Sequence, residues 1–206
     1  MNKYLFLNIE KIVQVFFYIQ KFAGTYNKLE MIKYLFFSDR INIREHFSFI
    51  SLDTYVALKY GPAASNSLNI LNKNKEFLNN FSNTELKFLN KVKKINDFTR
   101  IIYSVEDDLL SRNEKASIDR SIQLFHGKPL IELSHDYPEW KRYKQLFENM
   151  LVSMQPVYID DFFTNPNIDS SPALKLYFNG VDPLYKDQEY LDEAKEFYLT
   201  SRANVF

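Results

Sequence analysis

Four glycines and seven prolines are all the backbone punctuation in these 206 residues, so each one marks a boundary that can be read by position. Ile9, Ile12, Val13, Phe16 and Phe17 repeat at helical spacing, and Gly24 stands where a helix end favours a residue free to turn left-handed. Asn27 with Glu30 three residues on has the form of a capping box. The apolar residues from Leu29 to Ile43 then predict a second helix, joined to the first as a helical hairpin. From Ser51 to Tyr60 the period changes, because Tyr55, Ala57 and Lys59 alternate with Val56, Leu58 and Tyr60. That spacing predicts a strand ended by Gly61-Pro62, with Pro62 in the first turn of a helix that carries Ala64, Leu68 and Leu71.

Asn72 to Asn80 reads as a linker. Ser82 and Glu85 form a capping box ahead of Leu86, Leu89 and Val92, and Thr99, Ile101, Tyr103 and Val105 alternate as a second strand. Ser111 and Glu114 repeat the box before a helix with Ile118, Ile122 and Phe125 that Gly127 stops. His126 is placed to face that helix's C-terminal dipole. Asp136-Tyr137-Pro138-Glu139 opens one more, with Trp140, Tyr143, Phe147 and Leu151 on one face. The expected class is therefore mainly α with a small β-sheet (α+β): a compact helical domain with two or three short strands, the two strong ones pairing non-locally. After Leu151, Pro156, Pro166, Pro172 and Pro183 cut the chain into short pieces before a last helix near Lys186 to Leu199. The aromatics there, Tyr158, Phe162, Phe163, Tyr177, Phe178 and Tyr185, are too many for a disordered tail. Residues 1–150 are expected to form the main domain and 151–206 an extension packed on it.

Composition closes off several functions. Lys plus Arg and Asp plus Glu number 26 each, so the chain lacks the basic excess of a dedicated nucleic-acid binder. Without cysteine there is no disulfide scaffold, zinc ribbon or thiol nucleophile, and the cytoplasm is the expected home. No uncharged apolar stretch approaches the roughly 18 residues of a membrane span, and the apolar run Tyr4 to Leu7 is too short for a signal-peptide core. Phosphate-cradling and hydrolase motifs are missing, so neither a nucleotide nor any other cofactor is implied.

Among residues that could carry chemistry, Asp39 is the most informative. Ile32, Phe36, Asp39 and Ile43 share one narrow helical stripe, which places a carboxylate in an apolar face. Such a group needs a cation, a hydroxyl or indole donor, or backbone amides, and serves either as a brace or, less commonly, as a catalytic acid. His46, His126 and His135 are the neutral-pH acid-base candidates. His135 and Glu139 stand four apart, but Pro138 lies between them and no further His or Cys completes a metal site. Asp107-Asp108 and Asp160-Asp161 read as turn decoration. Lys87, Lys91, Lys93 and Lys94 make one predicted helix basic, more readily as a solvated face than as a phosphate grip. A helix-turn-helix reading of the opening hairpin fails because Tyr34-Leu35-Phe36-Phe37 is apolar where a recognition helix is polar.

Three blocks, in order, carry a resemblance: Met31 to Arg40 with Tyr34 and Asp39, then Asp53 to Pro62 with Tyr55, Lys59, Tyr60, Gly61 and Pro62, then Leu133-Ser134-His135 with Trp140. Together, over roughly Ile9 to Lys144, they resemble the Panacea domain of SocA-like antitoxins. The resemblance implies a mainly helical, non-enzymatic scaffold that neutralises a protein toxin encoded by the adjacent gene, by direct binding or by delivery to a protease. On that reading those nine residues, Tyr34 through Trp140, form a structural or binding motif with no metal, no cofactor and no membrane partner. Asp39 is then expected to fasten the second helix to the Lys59-Tyr60-Gly61-Pro62 corner, or to His135 and Trp140. The stretch from Asn72 to Phe98 and the tail after Leu151 depart from the short family pattern, and either could be specific to the toxin. Two other classes compete: a phage or mobile-element DNA-associated regulator using Lys87 to Lys94, and a small metal-dependent hydrolase using Asp39, His135 and Glu139.

Overall fold

The computed structural model describes residues 7–95, 98–101 and 109–203. The Asn8 side chain accepts a hydrogen bond from the Lys11 amide (3.0 Å) to open α1 (Ile9–Ala23), and Gly24, at φ 69°, closes it. Asn27 caps α2 (Lys28–His46) through the Leu29 amide. Its expected box partner Glu30 accepts instead from the Thr25 hydroxyl, which in turn accepts from the Asn27 amide, so a contact predicted to be direct runs through a hydroxyl. Every residue of α2 from Met31 to Arg44 is buried. A helix covered on all sides is a core element rather than a surface helix with one apolar stripe.

Next come β1 (Tyr55–Leu58), β2 (Gly61–Ala64), α3 (Ser65–Asn72), α4 (Lys75–Leu78), α5 (Asn83–Leu86), a 3₁₀ turn over Lys87–Lys91, β3 (Val92–Ile95) and β4 (Phe98–Ile101). The chain continues through α6 (Arg112–Phe125), α7 (Leu130–His135), α8 (Pro138–Lys141), α9 (Lys144–Glu148) and β5 (Met154–Pro156). It ends with α10 (Ile159–Phe162), a 3₁₀ turn over Ile168–Ser170, α11 (Pro172–Phe178) and α12 (Gln188–Ala203). The fold is the expected helical α+β class. Around α2 pack α1, α6, α7, α12 and β2. Two of the three predicted capping boxes form, Ser82 with Glu85 and Ser111 with Glu114, and His126 stands at the C-cap of α6.

Strand pairing departs from expectation. Gly61-Pro62 does not lead into a helix: Lys59 and Tyr60 make a two-residue turn, and β2 runs back antiparallel on β1, Leu58 opposite Gly61 and Ala57 opposite Pro62. Pro62 is tolerated because β2 is an edge strand, where a missing N–H breaks no further ladder bond. The other neighbour of β1 is β5, about a hundred residues later, giving the order β2-β1-β5. Thr99 and Ile101 pair instead with the adjacent β3, so the two predicted strands lie in different sheets; Tyr103 and Val105 fall outside the described residues. The expected linker Asn72 to Asn80 contains α4, whose Phe77 is buried. The long helix expected after Pro138 breaks at Arg142-Tyr143 into α8 and α9. Trp140 and Phe147 still share a small apolar cluster, but Leu151 lies outside it, exposed.

The basic helix predicted over Lys87 to Lys94 does not form: Lys87 and Lys91 sit in a 3₁₀ turn, Lys93 and Lys94 in β3. After β5 the chain returns to α2, where the Tyr190 hydroxyl donates to the Arg44 carbonyl (2.8 Å) and Phe162 and Phe163 are buried. Tyr158, Tyr177 and Tyr185 stay exposed. Among the described residues no helix is long and apolar enough to cross a membrane.

Candidate functional site

The Asp39 carboxylate is fully buried and saturated with donors. It accepts from the Ile50 amide (2.5 Å), the Ser51 amide (3.2 Å), the Ser51 hydroxyl (2.5 Å) and the Tyr55 hydroxyl (2.8 Å). Burial pushes its pKa up to about 6, and the hydroxyls of Ser51 and Tyr55 with the two amides keep it from rising further. Its burial is as predicted, but its partners are not the Gly-Pro corner, His135 or Trp140. Asp39 ties α2 to the loop that immediately follows it and to the first residue of β1. Asp53 acts similarly one step on: it accepts from the amides of Asn66 and Ser67, supplying α3 with the cap that Ala64 cannot.

The corner is fastened by a different residue. Lys33, buried in α2, donates to the Pro62 carbonyl (2.7 Å), and burial without a facing carboxylate pushes its amine well below the usual lysine range. Gly61, at φ 96°, lies so close to α7 that a Cβ there would stand 2.3 Å from Ser134 Oγ and 2.6 Å from Lys33 Nζ. Beside it the His135 ring stacks on Trp140, centroids 3.7 Å apart, and the Trp140 indole N–H donates to the Leu58 carbonyl (2.8 Å). Thus Gly61, Pro62, His135 and Trp140 do converge. Lys59 and Tyr60 form the exposed tip above them, with the ammonium 5.7 Å from the phenol ring.

Burial, then the cations of Lys33 and Lys144, push His135 down to about 4. Between that value and the ordinary 6.5 the unfolded chain binds more protons than the folded one. The stabilisation is therefore complete above about 6.5 and is lost as pH falls through the folded value. Asp39, shifted upward, acts in the opposite sense over part of the same range, so the His135 contribution is isolated by difference. His135→Phe keeps an aromatic ring on Trp140 and is expected to lose less melting temperature than the parent between about pH 7 and about pH 4.5. Thermal denaturation across that range checks it; parallel curves would rule out His135 as the group responsible.

A third cluster was not singled out from sequence. Arg40, next to Asp39 on α2, is fully buried and forms an ion pair with Glu139 of α8, also fully buried. It also donates to the carbonyls of Asp161 (3.1 Å) and Thr164 (2.6 Å), and its guanidinium lies 4.7 Å from the Tyr137 ring. One turn along, Arg44 donates to the carbonyls of Phe162 (2.6 Å), Thr164 (2.9 Å) and Leu184 (2.9 Å). Burial pushes Glu139 up to about 7, against the pull of Arg40 and Arg44. Asp161, read from sequence as turn decoration, is buried and pairs with Arg142. Tyr34 belongs to none of these clusters: its ring faces a depression beside the α6–α7 connection, and burial with nearby Glu30 raises its phenol to about 12.

His135 and Glu139 therefore face different partners and do not converge on an ion. Among the described residues no group of three or more His, Asp or Glu side chains could hold one. Asp39, Arg40 and Glu139 are sealed from solvent; the Asp39 carboxylate is bonded at both oxygens, and Arg40 and Glu139 hold each other through Nη1 and Oε1, with Arg40 Nε and Glu139 Oε2 left without a hydrogen-bond partner among the described residues. The sequence signature described as antitoxin SocA-like, Panacea domain, matches residues 31–141, 111 of the 206. The chain belongs to that Panacea family. Comparison with curated proteins and with solved structures found no match. The Panacea segment opens in α2 and closes at the end of α8, narrower than Ile9 to Lys144, and holds all nine motif residues together with Lys33, Arg40 and Glu139. The backbone acceptors that complete Arg40 and Arg44, from Asp161 to Leu184, lie beyond it.

Proposed function

We propose that this Panacea protein is an antitoxin that neutralises a cognate protein toxin, encoded by the adjacent gene, by binding it directly in the cytoplasm. Residues 1–150 would form the binding domain and 151–206 the extension that braces α2 through Arg40 and Arg44. One observation carries the reading: the family match coincides with charged groups locked into architecture, Asp39 on amides and hydroxyls and Arg40 on Glu139, rather than with an open cleft of titratable groups. A fold that spends its ionisable residues this way presents function on its surface, as a binder does. In this reading the nine motif residues maintain the scaffold and the Lys59-Tyr60 tip, not a reaction.

The test is induction of the adjacent reading frame alone and together with this protein. The expected result is growth arrest that co-expression relieves, with the two purified proteins co-eluting as a stable complex. Arrest left unrelieved overturns the antitoxin reading. Relief accompanied by rapid loss of the toxin, with no stable complex, assigns delivery to a protease in place of sequestration.

A further inference from the structure

Between the Lys59-Tyr60 tip and the α8–α9 segment lies a groove of about 710 Å³ whose floor is His135, Trp140 and Phe147 and whose lip is Met150 and Leu151. The lip is unusual. Met150 follows the C-cap of α9 at φ 55°, with its amide donating to the Phe147 carbonyl and the Leu151 amide to the Leu146 carbonyl, the paired bonds of a Schellman end. Glycine is the residue that occupies this position without strain. Here a methionine does so, and its side chain is 89% exposed. In that motif the next residue commonly folds back on the helix, yet Leu151 is 68% exposed. The other non-glycine residues at positive φ differ: Phe47 packs on Phe197, Lys73 and Asn179 are polar, and Leu52 is far less exposed. Met154, paired with Leu58 in the sheet, and Tyr60 at the hairpin tip are also exposed.

Two charged residues line the groove, Glu148 and Lys59, and they differ in their partners. Lys144 is paired with Glu148 at 3.6 Å, whereas Lys59 has no anionic partner among the described residues. We propose that this groove is the toxin-docking surface, and that its occupant is a toxin segment presenting aliphatic or aromatic side chains flanked by a carboxylate that pairs with Lys59. The proposal rests on the antitoxin reading and adds the surface and the chemistry of the partner. Strained backbone that holds an apolar side chain out in water fits a residue whose contact is made only in a complex, and an aromatic floor within a polar rim is the anatomy of an interface centre.

The test uses the full chain and the purified product of the adjacent reading frame, with affinity, growth rescue and melting temperature measured for each variant. Met150→Gly relieves the left-handed backbone and is expected to melt no lower than the parent while binding about 10-fold more weakly. Leu151→Ser added to it is expected to bring the loss to about 100-fold. Lys59→Glu is expected to weaken binding about 10-fold, with the parent's salt dependence reduced. Parent-like affinity in all three variants, with the parent itself binding and rescuing, overturns the groove and leaves the antitoxin reading intact. A parent that neither binds nor rescues overturns both. Variants that instead turn a dimer into a monomer at unchanged toxin affinity assign the groove to a second copy of this chain and overturn the proposal.

Discussion

Arg40→Met is expected to lower the unfolding free energy by about 3–5 kcal/mol, because it leaves the buried Glu139 carboxylate without its cation. A domain of this size is stable by roughly 5–15 kcal/mol, so the variant should sit near the edge of folding. Two further losses add to it: the carbonyls of Asp161 and Thr164 lose donors, and the Tyr137 ring loses the guanidinium stacked on it. The double variant Arg40→Met with Glu139→Leu removes both charges and should recover part of the deficit, since a buried pair replaced by apolar groups of similar volume is close to neutral. The deficit of the single variant also carries a pH signature. Burial already pushes Glu139 up to about 7 against the pull of Arg40, and without that pull its folded pKa rises further. Stability linked to a raised folded pKa is lost as pH rises through it, so Arg40→Met should be less stable at about pH 8 than at about pH 5 relative to the parent. Urea unfolding of the parent, Arg40→Met, Glu139→Leu and the double variant closes the double-mutant cycle. A coupling indistinguishable from zero would mean that the pair does not hold α8 to α2.

The elements that sequence made legible are those whose signals are local. Gly24, the boxes at Ser82 and Ser111 and the apolar period of α1 each act within one helix end or one face, and the structure places them where the pattern does. Asp39 was legible as a buried carboxylate because its stripe is apolar, but its donors were not: they sit only 11 to 16 residues downstream, Ile50 and Ser51 in the loop after α2 and Tyr55 at the start of β1, and an alternating period marks a strand without saying what its tyrosine hydroxyl bonds. Arg40 was passed over for the opposite reason. A charged residue beside a stripe reads as the solvent side of a helix, and that rule fails where tertiary packing covers every side, as it does from Met31 to Arg44. Lys33 fails to stand out for the same reason. A signal was available, since a helix carrying three cations among Phe36, Phe37, Ile41 and Ile43 has no polar face to give them. Strand β2 was illegible because Gly-Pro-Ala-Ala has little strand propensity; what makes it a strand is its return on β1 and the Lys33 ammonium on its proline carbonyl.

Gly61→Ala tests that corner directly and is expected to be destabilising by about 3 kcal/mol. Part of the loss is conformational: φ 96° is a region that residues with a Cβ rarely adopt. The rest is steric, because the added methyl would stand 2.3 Å from Ser134 Oγ and 2.6 Å from Lys33 Nζ. Neither neighbour retreats freely. Ser134 is fully buried and donates to the Ile131 carbonyl (2.8 Å), while Lys33 would forfeit the Pro62 carbonyl (2.7 Å) and keep its amine buried. Gly61→Ala combined with Ser134→Ala separates the two parts: removing the hydroxyl relieves the nearer clash but not the backbone strain, so the double variant should recover part of the loss and retain about 1–3 kcal/mol of it. Chemical denaturation gives both numbers. Should Gly61→Ala unfold like the parent, the backbone at 61 relaxes without consequence. The contact of β2 with α7 would then not be what fixes the Lys59-Tyr60 tip, and with it the wall of the groove above Trp140.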